Sequence, residues 1–179
     1  AQQHISGMAS LISVINKLKE SYGSYHCGFY ECRTSEVLDR VERGLDDLGI
    51  IFFTEHSKGQ MIQELRNRGI IFNHVVYQTA HAYICQNHPL ANSQEINIEE
   101  MIQYPFISYD RSPDTNPVYT DLIIPNYQVK KIIHVSDRAA SYSAMRYCHG
   151  FAIGSGYRSF DSNYSDIISL PVKNGVRLE

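Results

Sequence analysis

The segment Thr34–Phe53, TSEVLDRVERGLDDLGIIFF, constrains the fold more than any other part of the chain. Val37, Leu38, Val41 and Leu45 recur at helical spacing, and Gly44 stands where a helix C-terminus wants a residue with positive φ. After the acidic turn Asp46-Asp47, Gly49-Ile50-Ile51-Phe52-Phe53 is apolar without alternation, which predicts a strand over Leu48–Thr54 buried on both faces. A helix feeding such a strand is the pattern of a parallel α/β sheet with helices on its faces.

The remaining elements follow in order. Met8, Leu11, Ile12, Ile15 and Leu18 form one stripe and predict a helix over Gly7–Ser21. Tyr25–Glu31, Ile70–Tyr77 and Ala82–Gln86 read as strands, and Gln60–Asn67 as a short helix stopped by Gly69. Asn97 followed by Glu100 is a helix N-terminus signal. Phe106–Tyr109, Lys130–Val135, Phe151–Gly154 and Asp166–Val172 read as strands, and Ser136-Asp137 open a helix ending at Gly150. Pro113, Pro117 and Pro125 limit any helix between residues 110 and 127 to a short piece near Val118–Leu122. The order predicts an α/β chain with two Rossmann-like lobes, 1–77 with 171–179 and 78–170. They are joined by strands that cross near Gln78, and a cleft between lobes is where a small ligand binds.

Composition excludes several functions. A net charge of −3 and a pI near 6.2 are wrong for a chain that grips nucleic acid unaided, and the lysines and arginines are scattered. No apolar run is long enough to span a membrane. The start, AQQHISG, has no export-signal pattern, so the expected location is the cytoplasm. Cys27, Cys32, Cys85 and Cys148 read as reduced thiols. The eight histidines contain no metal-binding helical pair, no G-x-S-x-G elbow exists, and Gly154-Ser155-Gly156 lacks the third glycine of a dinucleotide loop. Neither a metal, a cofactor nor an enzymatic activity is expected.

Six pieces in order carry a family resemblance. They are the leading amphipathic helix, Thr34-Ser35 before the second helix, Asp47-Leu48-Gly49-Ile50, His88-Pro89-Leu90-Ala91, Ile98–Ile102 with Pro105-Phe106-Ile107, and His149-Gly150-Phe151-Ala152-Ile153. Together they resemble the effector-binding domain of LysR-type transcriptional regulators, which has a type 2 periplasmic-binding-protein-like fold. The chain departs from that pattern at Cys148, where a glycine is usual, and at Gly154-Ser155-Gly156, where a proline is usual.

The resemblance implies a regulatory domain of a longer bacterial protein, whose winged helix-turn-helix lies outside this sequence. A small metabolite would bind between the lobes and change how a homodimer or tetramer presents its DNA-binding domains, with the first helix at a two-fold interface. A transport-linked solute-binding protein with the same fold is the alternative.

Candidate effector contacts are small polar residues at loop ends and helix N-termini, where unpaired N–H groups favour an anion. They are Gln3, His4 and Ser6 before the first helix, Thr34 before the second, and Ser136 with Asp137 before the last. Thr54, Ser108 and Tyr109 end predicted strands, where ligands of open α/β sheets gather, and Arg111 could clamp a carboxylate. Each also has a plain reading as a helix cap, a turn residue or a solvated side chain.

Overall fold

A computed structural model describes residues 6–109, 129–158 and 164–179. The expected piece of helix near Val118–Leu122, together with Gln3, His4 and Arg111, lies outside the described residues. The helices are α1 (Ser6–Ser21), α2 (Thr34–Glu42), α3 (Lys58–Asn67), α4 (Ile98–Met101) and α5 (Arg138–Cys148). The strands are β1 (Gln78–Thr79), β2 (His81–Cys85), β3 (Phe106–Tyr109), β4 (Ile132–Val135), β5 (Ala152–Gly154), β6 (Ile167–Pro171) and β7 (Arg177–Leu178). The chain divides into two compact units, residues 1–51 and 52–179.

The first unit holds α1 and α2. The N-cap of α2 is Arg33, whose N–H donates to Glu36 Oε2 at 3.0 Å. At the other end Gly44 takes φ +66°, its N–H donates to Val41 O and that of Leu45 to Arg40 O. These are the two bonds that close a helix through a left-handed glycine. Arg40 then forks onto Asp46 at 2.6 and 2.8 Å, holding the acidic turn against the helix. Gly49 is dictated by close approach, because a Cβ there would lie 2.7 Å from Val37 Cγ1.

Three strand expectations are corrected. Tyr25–Glu31 forms no described strand, and neither does Ile70–Tyr77, where Ile71 and Val75 are more than four-fifths exposed. In the run 48–54 Leu48 is 86% exposed, and only Phe52 and Phe53 of its apolar residues are buried. Phe53 exchanges two backbone hydrogen bonds with Glu179, at 3.0 and 2.9 Å, so the contact is antiparallel rather than parallel. Apolar content signals a tendency to be buried, whereas a strand also needs a backbone partner.

The second unit is built around β2. It pairs antiparallel with both β5 and β6, while β3 and β4 form the parallel pair. A parallel bridge between Phe106 and Phe151 joins the two sets of strands. Because side chains alternate along a strand, β2 feeds two cores. Ala82 and Ile84 pack with Ile96, Met101 and Phe151, while Cys85 packs with Ile107, Val135, Met145 and Ile167. Met101 comes from α4 and Met145 from α5, so opposite faces of β2 are covered by different helices. That explains the near-continuous apolar run from Ala82 to Cys85.

α5 ends at Cys148, two residues earlier than expected. His149 takes the left-handed cap at φ 48°, and Gly150 leaves room for Ile107, whose Cδ1 would lie 2.7 Å from a Cβ placed there. The arrangement is mixed α/β, with more antiparallel pairing than the expected alternation of strands and helices implied.

Candidate functional site

β1 and β7 are each two residues long, and their register places Gln78 opposite Leu178 and Thr79 opposite Arg177. Facing residues of an antiparallel pair project to the same side, so Thr79 and Arg177 share a face. Two residues on, His81 begins β2 and sits opposite Gly154 of β5, which brings Ser155 and Gly156 beside it. These short ladders converge on a solvent-open cavity of about 370 Å³ lined by Tyr77, Gln78, Thr79, His81, Ser155 and Arg177. All six residues belong to the second unit.

The lining chemistry is specific. His81 Nδ1 lies 2.8 Å from the Thr79 carbonyl, which can only accept, so Nδ1 carries the proton and Nε2 of the neutral ring is an acceptor. The ring rests on Gly156, where a Cβ would come within 2.7 Å of His81 Cγ and Nδ1. Gly156 also has φ +84°, so glycine is required there for both backbone and space. The Arg177 guanidinium stacks 3.7 Å over the Tyr77 ring, and its ion-pair partner Glu55 is 3.9 Å away, beyond hydrogen-bond reach.

Of the lining residues, Gln78 and Ser155 each bury a side-chain oxygen without a well-formed hydrogen bond, the Ser155 Oγ lying beside the Tyr83 phenol. Burial pushes the Tyr83 phenol up to about 12, and its hydroxyl donates to the Tyr157 carbonyl at 2.7 Å. The cavity thus offers the Arg177 cation and the His81 ring acceptor, and none of its six lining residues is a carboxylate.

The sequence candidates that lie among the described residues fall elsewhere. Ser6 is the first residue of α1, and Thr34 is a buried residue inside α2 rather than its cap, which is Arg33. Thr54 is buried and tied to Ser57, with its Oγ1 3.1 Å from Ser57 Oγ and its N–H donating to that oxygen at 3.2 Å. The parallel pairing of Tyr109 with Val135 gathers Ser108, Tyr109, Ser136 and Asp137 at the carboxyl ends of β3 and β4.

There Asp137 Oδ1 accepts from the Ala140 N–H at 2.9 Å and Oδ2 from the Ser136 hydroxyl at 3.0 Å. The backbone bond to Ala140, more than any other contact, lowers the Asp137 pKa. The N-terminus of α5 already holds a carboxylate of its own, which opposes a second anion in the same place.

None of these residues lines the cavity. Gly154-Ser155-Gly156 was the visible sequence signal for it, the small residues marking close backbone approach rather than a catalytic turn.

No known family profile matches this sequence, and no curated relative does. Solved structures do. The effector-binding domain of QuiR in complex with shikimate superposes with TM-score 0.56 at 14% identity, covering 96% of this chain and 78% of that one. The BenM effector-binding domain with its effector benzoate gives 0.56 at 13% identity, covering 94% and 74%. HinK, a LysR family transcriptional regulator from Pseudomonas aeruginosa, gives 0.57 at 12% identity, covering 98% and 59%. The chain therefore has the fold of LysR effector-binding domains, and it spans about 60% of the length of the P. aeruginosa regulators it resembles.

Proposed function

We propose that this chain is the effector-sensing domain of a bacterial LysR-type transcriptional regulator. It binds a small metabolite where its strands cross and passes the binding energy to the DNA-binding part of the protein. The observation that carries the reading is the cavity at the β1/β7 crossing, within a fold shared with domains solved around shikimate and benzoate. A cavity of about 370 Å³ falls in the range of small-molecule sites, roughly 300–1,000 Å³.

In this reading residues 1–77 with 171–179 form one lobe and 78–170 the other, and the crossing strands at Gln78–Thr79 and Arg177–Leu178 are the hinge. Ser108, Tyr109, Ser136 and Asp137, gathered at the carboxyl edge of β3 and β4, form a second point of ligand contact. A ligand with different affinity for two lobe arrangements shifts their populations, and no reaction is catalysed. α1, with Ile12 half exposed, packs at the two-fold interface of a homodimer or tetramer in the cytoplasm.

A thermal-unfolding screen against small metabolites tests this. A ligand present at 100 times its Kd adds about 2.7 kcal/mol, which for a chain of this size raises Tm by roughly 5–10 °C. The same ligand should change operator binding by the full-length regulator. A ligand turned over to product, or a broad screen in which nothing binds, refutes the reading.

A further inference from the structure

We propose that the cavity takes a small hydroxylated carboxylate, its acid group on Arg177 and a hydroxyl donating to His81 Nε2. The inference rests on the effector-sensing reading and names the ligand class for that site. Stacking on Tyr77 fixes the plane of the Arg177 guanidinium, and the 3.9 Å gap to Glu55 leaves room for a closer acceptor. A fork of N–H donors in a fixed plane matches a carboxylate in two parallel hydrogen bonds.

The opposite need comes from the acceptor. The Thr79 carbonyl keeps the His81 proton on Nδ1, so Nε2 of the neutral ring wants a donor. Hydroxyls meet that need. An ammonium group would meet it too, but none of the six lining residues is a carboxylate to balance its charge. A plain hydrocarbon acid leaves His81 Nε2 unmatched, and a neutral polyol leaves Arg177 unmatched. Only a molecule carrying both groups satisfies the lining.

The test is isothermal titration of the isolated domain with four kinds of probe. Shikimate, tartrate and gluconate are hydroxy acids; benzoate and cyclohexanecarboxylate lack hydroxyls; myo-inositol lacks the acid; γ-aminobutyrate carries an ammonium. At least one hydroxy acid should bind, and the hydroxyl-free acids should bind roughly 2- to 10-fold more weakly, as expected when one hydrogen bond is lost. Arg177→Gln should weaken the hydroxy acid by a similar factor. Arg177→Lys should fall between, because it keeps the charge and loses the fork. Circular dichroism spectra of both variants check that they fold.

The proposal is overturned if benzoate, inositol or γ-aminobutyrate binds as tightly as the best hydroxy acid, or if both Arg177 variants keep wild-type affinity. If no probe binds while a non-acid from a broad metabolite library does, the ligand class is wrong and the sensing role stands. If nothing in either set binds, both fall.

Discussion

Replacing Gly156 with alanine separates two costs that the cavity wall combines. The new Cβ would sit 2.7 Å from His81 Cγ and Nδ1 and 2.9 Å from Cε1, closer than any relaxed contact permits. The backbone at φ +84° adds about 1–2 kcal/mol for a residue with a side chain. Displacing the ring also breaks the 2.8 Å bond between His81 Nδ1–H and the Thr79 carbonyl, worth about 0.5–1.5 kcal/mol.

Together these come to about 1.5–3.5 kcal/mol. Gly69 provides the control, since it has φ +67° but nothing within 4 Å of its added Cβ. Gly69→Ala should therefore cost only the backbone part, about 1–2 kcal/mol. The chain has no tryptophan, so urea unfolding is best followed by circular dichroism. In a His81→Ala background the ring is gone, and Gly156→Ala should cost about 1 kcal/mol less than in the wild type. Equal losses at Gly156 and Gly69, or no coupling with His81, would refute the argument that the glycine exists to seat the imidazole.

Asp166→Asn should destabilise the domain by about 1–2 kcal/mol, since it breaks the fork from Arg146 at 2.6 and 2.6 Å that ties α5 to the start of β6. The Arg146 guanidinium holds the Asp166 carboxyl down at about 2, so its contribution is complete above pH 4 and is lost as pH falls from there toward 2; denaturant unfolding across that range reads it. His88 gives a separate signal nearer neutrality. Its ring is buried, its Nδ1 accepts from the Leu90 N–H at 3.1 Å, and burial pushes its pKa below the usual value. The unfolded chain then binds the proton first, so stability should fall as pH drops below about 6.5. His88→Gln should flatten the profile between pH 7 and 5, and an unchanged slope would exclude the imidazole as its source. Asp137→Ala removes the cap on α5 and should cost about 1 kcal/mol, measured by the same denaturant titration.

Much of this protein was legible in the chain because local physics decides it. The stops at Gly44 and Gly69 need a left-handed residue, and both positions have it. The amphipathic stripes of α1 and α2, the Asn97 and Asp137 caps, and the strands at β2, β3 and β6 follow from spacing and side-chain chemistry within a few residues.

The order of six weak motifs also pointed to the fold that the solved structures share. Tertiary structure decided what depends on a partner distant in sequence. Leu48–Thr54 and Ile70–Tyr77 have strand composition, yet pairing is a property of two segments, and among the described residues only the end of the first run forms a β-bridge.

The site shows the same division. Single residues advertise a chemistry, and Ser136 and Asp137 did so, but their hydrogen bonds close on each other and on the helix they begin. The cavity needs Tyr77–Thr79 beside Arg177, about a hundred residues later, and His81 beside Gly156. No spacing rule reaches that far. Strand register brings these groups together, and register is set by the packing of the whole sheet.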